Sequence, residues 1–247
     1  MPAIDFMCIA HRGASSYAPE NTLAAFDLAL AMGIMHIELD VHCTRDGQVV
    51  VIHDETVDRT TNGTGPVTSY TLAELRCLDA GAWFGAEFVG QRLATYAEVL
   101  ERYGRRVHIH TEIKGYTAHL AQRTVDLIRQ YNMTAQVTMT SFQQPPLQDI
   151  RTYAPELPTG WLVHQINETI IMQARQLGVA QLCPLATIVT PALVRHLHAQ
   201  GFVVRAWGVA TEALMRQVVD AGADGMTVNF PNKLMAYTQS LRQAREG

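Results

Sequence analysis

The chain has 247 residues, of which 48% are apolar and 17% are charged, and its formal net charge is −4. This is the composition of an ordinary globular protein, and the length suits a barrel of about 250 residues. No cluster of basic residues occurs, which argues against binding to nucleic acid or to an anionic membrane. Without a run of 18 apolar residues or a recognisable leader segment, we expect a cytoplasmic protein with no stable membrane insertion.

Short apolar runs, each typical of a buried strand, alternate with helical patterns along the whole chain. The predicted strands cover 6–10, 35–41, 106–113, 136–142, 158–163, 180–183, 202–208 and 225–229. Eight such strands, each followed by a helix, predict an α/β fold, the (β/α)8 TIM barrel. An open doubly wound sheet is the alternative, although no G-x-G-x-x-G turn follows the first strand.

Residues that start and stop helices support this alternation. Asn21 is predicted to cap the first helix, and Gly33 follows the end of that helix. Pro191 suits the first turn of a later helix, which Gly201 follows. The last helix is predicted to begin after Pro231.

One segment, 44–93, breaks the alternation within what is otherwise a single barrel domain over 1–247. It contains an extra short strand at 49–52, a polar stretch at 58–66 and a short helix near 72–78. Because long loops without secondary structure are rare, we expect this insertion to pack as a small subdomain over one mouth of the barrel.

The four cysteines occur singly, with no C-x-x-C pair, inside or beside apolar stretches. They are Cys8, Cys43, Cys77 and Cys183. Buried free thiols are the expected state, and a disulfide or a zinc site is the alternative.

Three carboxylates fall near the ends of predicted strands. Glu38 and Asp40 are two residues apart in one strand, so both side chains point to the same face, and Glu112 repeats the arrangement on the next barrel strand. Carboxylates placed together repel each other unless a cation or a proton intervenes. We therefore expect one divalent cation, Mg²⁺ or Ca²⁺ with Mn²⁺ as a further candidate; solvated strand ends are the alternative.

Two histidines and two bases accompany these carboxylates. His11 ends the first strand and His53 follows the extra strand, where both could transfer protons, although either taken singly could be structural. Arg12 and Lys114 suit the neutralisation of a phosphate, or they could form ion pairs with the carboxylates. Trp207 could form an apolar wall of the pocket or belong to the core.

At these residues the chain resembles the glycerophosphodiester phosphodiesterase family. The matching stretches are 10–14, 18–22, 38–41, 44–47, 53–63, 112–114 and 222–225. The resemblance implies a TIM barrel with an insertion after the second strand, and cleavage of a glycerophosphodiester to sn-glycerol 3-phosphate and an alcohol. It also implies a metal held by Glu38, Asp40 and Glu112, phosphate binding by Arg12, and acid–base catalysis by His11 and His53.

Our hypothesis for the mechanism is that the glycerol 2-hydroxyl attacks phosphorus, with His11 as the base and His53 as the acid. The chain departs from the family pattern at a few positions. The residues before Glu112 are His110 and Thr111 where Asn and Ile are usual, and Asn229 stands where an aspartate is common. These departures concern the pocket for the glycerol or alcohol group and remove no proposed catalytic residue.

Three other functions are compatible with parts of the pattern. A diesterase acting on lysophospholipids keeps the fold, although the sequence shows no basic amphipathic helix and no evident aromatic cluster for an interface. A catalytically silent barrel could bind a metal–phosphate ligand without turnover. A metal-dependent amidohydrolase would use the H-x-H spacing of His108 and His110, but the remaining pattern does not follow.

Overall fold

The fold is a closed barrel of parallel strands, seen in a computed structural model that describes residues 6–115 and 117–246. In chain order the strands are β1 (Met7–His11), β2 (His36–Cys43), β3 (Val49–Val51), β4 (His108–Ile113), β5 (Val137–Ser141), β6 (Thr159–Val163), β7 (Gln181–Pro184), β8 (Val203–Val209) and β9 (Gly225–Val228). β1 pairs in parallel with both β2 and β9, which closes the ring of eight, while β3 lies outside it. The predicted TIM barrel is confirmed, and every predicted barrel strand matches an observed one to within two residues.

Helices follow the barrel strands and cover the outside of the sheet. They are α1 (Leu23–Ala31), α2 (Leu72–Leu75), α3 (Tyr96–Tyr103), α4 (Leu120–Gln130), α5 (Gln144–Tyr153), α6 (Glu168–Leu177), α7 (Pro191–Ala199), α8 (Glu212–Asp220) and α9 (Pro231–Glu246). Pro191 occupies the first turn of α7 as predicted, because its missing N–H has no partner to lose there. Within the described part of the chain, no helix combines the length and apolar character needed to span a bilayer.

Asn21 does not cap α1, contrary to the prediction. The cap is Thr22, whose side chain accepts a hydrogen bond from the backbone N–H of Ala25. Asn21 instead adopts a left-handed backbone conformation, with φ of 58°, and turns its side chain toward Asp40 in the barrel. The shift of one residue therefore releases Asn21 for the strand-end carboxylates.

The insertion begins directly after β2. Its strand β3 runs antiparallel to β2, and the expected helix is a single turn, α2, fixed by a capping box between Thr71 and Glu74. A small apolar cluster of its own lies beneath it, with Val50, Val57 and Leu75 fully buried. The insertion thus has a packed interior that holds the segment carrying His53.

The cysteine prediction is correct in redox state and partly wrong in burial. All four thiols are free. Cys43 and Cys183 are buried, whereas Cys8 is half-buried and Cys77 is exposed at the end of the insertion's helical turn.

Strand register brings the polar strand ends together. His11 of β1 lies opposite Glu38 of β2, and Asp40 of β2 lies opposite Glu112 of β4. Since all eight barrel strands are parallel, their carboxyl ends meet at one mouth. The residues singled out in the sequence therefore converge at that mouth.

Candidate active site

A pocket of about 210 Å³ opens at the carboxyl end of the barrel. Seven of the eight predicted site residues line it: His11, Arg12, Glu38, His53, Glu112, Lys114 and Trp207. The eighth, Asp40, is completely buried beneath it, within ion-pair distance of Arg12 and Lys114. The structure thus gathers the predicted set at one place.

The three carboxylates are buried side by side. Glu38, Asp40 and Glu112 are 3%, 0% and 6% exposed, and each offers an oxygen within 4.8 Å of the other two. Burial, together with the charge of Asp40, raises the pKa of Glu38 well above its usual range and that of Glu112 to about 7. Burial acts in the same direction on Asp40, but Lys114 and Arg12 outweigh it and lower its pKa to about 2.

Arg12 and Lys114 do form ion pairs with the carboxylates, which was the alternative considered for them. Lys114 Nζ lies 2.6 Å from Glu112 Oε1 and 3.3 Å from Asp40 Oδ1, and Arg12 Nε lies 3.2 Å from Asp40 Oδ2. Both bases also border the pocket, so the same charges can face a bound phosphate. The two roles are compatible here.

The backbone of the turn after β1 places Arg12 next to the carboxylates. Arg12 has a φ of 57°, which aims its backbone N–H at Glu38 Oε2, 3.0 Å away. Gly13 follows with a φ of 82°, and a Cβ on it would lie 2.6 Å from the backbone of Ala25. Strained backbone of this kind persists where the surroundings over-determine it, often at functional sites.

Each candidate histidine is held through Nδ1. His11 Nδ1 lies 2.6 Å from Asn229 Oδ1, and His53 Nδ1 lies 2.6 Å from Asp54 Oδ1. Since both partners are acceptors, each Nδ1 donates, and Nε2 is left as the lone-pair nitrogen. Burial lowers the pKa of both imidazoles, and with the neighbouring charge of Arg12 it brings that of His11 to about 4.

Several residues that contact the predicted site residues or line the pocket were not predicted from the sequence to do so. Asn21 donates to Asp40 Oδ2 at 2.8 Å, and Asn229 and Asp54 orient the histidines. Arg205 lies 1% exposed at the pocket floor, with Nε and Nη1 lacking hydrogen-bond partners among the described residues. Asn21 and Asp54 lie in stretches that match the family, and Asn229 lies at a departure from it, but the contacts that they make arise only on folding; Arg205 had no signal in the sequence.

The opposite wall of the pocket is aromatic. Trp207 contacts Phe142 and His164, with ring centroids 4.8 and 4.9 Å apart and both pairs edge to face. Its indole N–H donates to the backbone carbonyl of Val163 at 3.1 Å. Trp207 therefore forms a fixed wall of the pocket.

The H-x-H pair does not join the carboxylates. His110 is fully buried in the barrel and its Nε2 lies 3.3 Å from His36 Nδ1, while His108 Nε2 lies 2.8 Å from Thr138 Oγ1. Within the described part of the chain, the carboxylate triad is the one group of potential metal ligands whose donor atoms converge.

The triad fits a hard divalent cation. Asp40 Oδ1 is buried and has no hydrogen-bond partner among the described residues; its contact there is the ion pair with Lys114 at 3.3 Å, which shows that this oxygen faces positive charge. The raised pKa values of Glu38 and Glu112 show that the site gains by taking up positive charge. Oxygen donors of this kind are the usual ligands of Mg²⁺ and Ca²⁺.

Comparison with known proteins identifies the family. A sequence profile described as the Glycerophosphoryl diester phosphodiesterase family matches residues 11–233. The chain belongs to that family. A glycerophosphodiester phosphodiesterase of Caldanaerobacter subterraneus subsp. tengcongensis is 38% identical over 233 residues, covering 93% of this chain and 96% of that protein. One from Bacillus subtilis is 31% identical, covering 92% of this chain and 84% of the relative.

Solved structures agree. A phosphodiesterase of Oleispira antarctica, in complex with the product sn-glycerol-3-phosphate, superposes with a TM-score of 0.87 at 30% identity, covering 94% of this chain and 96% of its own. A glycerophosphodiester phosphodiesterase of Agrobacterium tumefaciens gives a TM-score of 0.84 at 31% identity, covering 92% and 98%. The chain is thus an enzyme of the glycerophosphodiester phosphodiesterase class. The alternative of a metal-dependent amidohydrolase is therefore wrong.

Proposed function

We propose that this enzyme hydrolyses glycerophosphodiesters, such as glycerophosphocholine and glycerophosphoethanolamine, to sn-glycerol 3-phosphate and an alcohol. The observation that carries the proposal is the pairing of two Nδ1-anchored histidines with a buried carboxylate triad at one pocket. Glu38, Asp40 and Glu112 would hold one divalent cation, Mg²⁺ or Ca²⁺ with Mn²⁺ as a further candidate. When bound, the cation supplies positive charge that polarises a phosphate oxygen.

The protein's own groups account for the proton transfers. His11 Nε2 removes the proton of the glycerol 2-hydroxyl, whose oxygen forms a bond to phosphorus. The bond from phosphorus to the alcohol oxygen breaks, and His53, which enters this step as the imidazolium, delivers its Nε2 proton to that oxygen. Water then opens the cyclic phosphate with the two roles reversed, giving sn-glycerol 3-phosphate. Arg12 and Lys114 neutralise phosphate charge throughout.

The partners of the histidines favour this division of roles. Asp54 is an anion that favours the protonated imidazole of His53 and so opposes the lowering of its pKa by burial, which suits the acid. Burial and the adjacent Arg12 lower the pKa of His11, and its partner Asn229 carries no charge, which suits the base. The choice of His11 as the base therefore depends on Asn229, at a position where the family pattern commonly has an aspartate.

The test is release of glycerol 3-phosphate from glycerophosphocholine, measured with a coupled dehydrogenase in Mg²⁺, Ca²⁺, Mn²⁺ or EDTA. We expect release that requires a divalent cation, and accumulation of a cyclic phosphate detectable by phosphorus NMR with a slow substrate. If no cyclic species is detected during turnover, the attacking group is water and not the glycerol 2-hydroxyl. Tight binding of substrate without turnover would identify a silent barrel.

A lysophospholipid substrate is the second candidate, favoured by a groove beside the pocket. This groove of about 300 Å³ shares Phe142 and Leu162 with the catalytic pocket and continues along Val163 and Ile170. The insertion also carries an aromatic cluster, contrary to the sequence expectation. Trp83 contacts Phe84 edge to face, and Trp83 is 41% exposed.

Charge placed in the groove separates the two substrates. We expect Ile170→Asp to lower activity toward lysophosphatidylcholine while activity toward glycerophosphocholine stays near that of the native enzyme. The matched control is Met172→Asp, because Met172 lies on the same helix and is 54% exposed. Equal effects of Ile170→Asp on both substrates would show that the groove does not bind an acyl chain.

The cytoplasmic location and the lack of nucleic-acid binding stay predictions from composition.

A further inference from the structure

Arg59 of the insertion binds two carboxylates at once. Its Nη1 and Nη2 donate to the two carboxylate oxygens of Glu20, at 2.9 and 2.8 Å. Its Nε and Nη2 donate to the two oxygens of Asp54, at 2.7 and 3.0 Å. All three nitrogens of the Arg59 guanidinium therefore donate hydrogen bonds, which link the loop between β1 and α1 to the insertion.

Each of these carboxylates holds a residue of the pocket. Asp54 Oδ1 accepts the hydrogen bond from His53 Nδ1 at 2.6 Å. Glu20 Oε1 accepts a hydrogen bond from Arg12 Nη1 at 2.8 Å. A continuous chain of charge-assisted hydrogen bonds therefore runs from His53 through Asp54, Arg59 and Glu20 to Arg12.

From this chain we infer that Arg59 is a positioning residue, which locks the insertion onto the barrel mouth and fixes the imidazole of His53 relative to the guanidinium of Arg12. The inference rests on the proposed function, in which those two groups act on the same phosphodiester. Arg59 itself is not among the residues that line the pocket. Its effect on the reaction is exerted through Asp54 and Glu20.

The geometry requires an arginine. Asp54 and Glu20 are anions in separate segments, so without a shared cation they repel each other, and each keeps only its bond to His53 or to Arg12. A planar guanidinium satisfies both in paired, directional hydrogen bonds, whereas a lysine ammonium provides the charge without the fork. Misplacement of a reacting group by about 1 Å can cost roughly 10²-fold in rate.

The same insertion provides a matched control. Arg45 also forms a two-bond pair with a carboxylate, at 3.3 and 3.0 Å to Glu74, and donates to the carbonyl of Ser69. Neither Arg45 nor Glu74 lines the catalytic pocket. The two arginines have similar exposure, 56% for Arg45 and 44% for Arg59. A general loss of stability in the insertion would affect both pairs.

The experiment compares Arg59→Met, Arg59→Lys and Arg45→Met in the full chain. For Arg59→Met we expect kcat to fall by about 10²-fold with a smaller change in KM, for Arg59→Lys an intermediate kcat, and for Arg45→Met a kcat within about twofold of native. Near-native kcat in Arg59→Met would overturn the inference. So would equal losses in Arg59→Met and Arg45→Met, which would indicate a merely structural role.

A readout that needs no turnover separates this inference from the proposed function. The Nδ1 proton of His53, held against Asp54, should give a downfield imidazole resonance in the proton NMR spectrum, assigned by its loss in His53→Gln. We expect this resonance to shift or broaden in Arg59→Met and Arg59→Lys and to stay in place in Arg45→Met. An unchanged resonance in folded Arg59→Met would overturn the positioning role whether or not the enzyme turns over glycerophosphocholine.

Discussion

The two halves of the barrel contribute differently to the active site. The first half, from β1 to β4 with the insertion, supplies the carboxylate triad, both histidines, Arg12 and Lys114. The second half, from β5 to β9, supplies apolar walls such as Leu162 and Trp207, the amide that holds His11, and one buried base, Arg205. Their apolar cores divide along nearly the same line.

The difference shows where charge is tolerated in a closed barrel. In the first half, the buried carboxylates are stabilised by the bases and amides around them. Asp40, for example, is contacted by Arg12, Lys114 and Asn21. Across the mouth, the rings of Phe142, His164 and Trp207 hold one another in edge-to-face contact around Trp207. Under the proposed function, most of the reacting groups come from the first half, and the aromatic wall beside the substrate comes from the second.

The largest effect should come from the triad. Removal of divalent cations, or Glu38→Gln, should reduce activity to background, because the site loses its positive charge or a ligand for it. A cation at 100 times its Kd should stabilise the native fold by about 2.7 kcal/mol, read as a rise in Tm. Glu38→Gln should abolish that rise while the cation-free fold stays intact, since the substitution relieves repulsion among buried carboxylates. An undiminished rise in Glu38→Gln would exclude Glu38 as a ligand.

The histidines should follow. His11→Ala and His53→Ala should each lower kcat by about 10²–10⁴-fold, the usual range for one acid–base group, with the fold unchanged by circular dichroism. The control is His196→Ala, an exposed histidine on α7, which should keep native kcat. Native turnover in either site variant would break the assignment of proton transfer to the first half of the chain.

A smaller effect tests the second half. Trp207→Ala should raise KM for glycerophosphocholine by about tenfold and change kcat less, because an aromatic wall contributes roughly 0.5–1.5 kcal/mol beyond its buried area. The matched control is Trp83→Ala in the insertion, away from the pocket lining. A loss confined to kcat would place Trp207 among the groups that stabilise the transition state.

The smallest effect concerns acid stability. Hydrogen bonds from Arg59, and then from His53, lower the pKa of Asp54 in the folded protein. A lowered carboxylate pKa stabilises the fold above the ordinary value near 3.9, and this stabilisation is lost as the pH falls through that value toward the lowered one. Asp54→Asn should therefore unfold more easily at pH 7, and its difference from the native protein should shrink steadily as the pH falls below about 4. Glu101→Gln, on the exposed face of α3, is the control in urea titrations.

Much of the site could be read from the sequence because its parts are local. Glu38 and Asp40 follow strand periodicity, and Glu112 and Lys114 repeat it, so parallel register was sufficient to bring them together. The insertion could also be predicted, because it breaks the alternation of strands and helices along the chain. The helix cap was misplaced by one residue because Asn21 and Thr22 are both good caps, and the choice depends on Asp40, which lies 19 positions away.

The sequence by itself determined the barrel, the insertion and the types of chemistry available, since these depend on periodicity and residue identity. Only the tertiary structure decided how the groups are held. The partner of His11 is Asn229, 218 positions along the chain, and Arg59 reaches Glu20 across 39 positions. Such pairings follow from closure of the barrel and from packing of the insertion on its mouth, and no local pattern encodes them. The orientation of the candidate catalytic groups therefore arises from contacts that exist only in the folded chain.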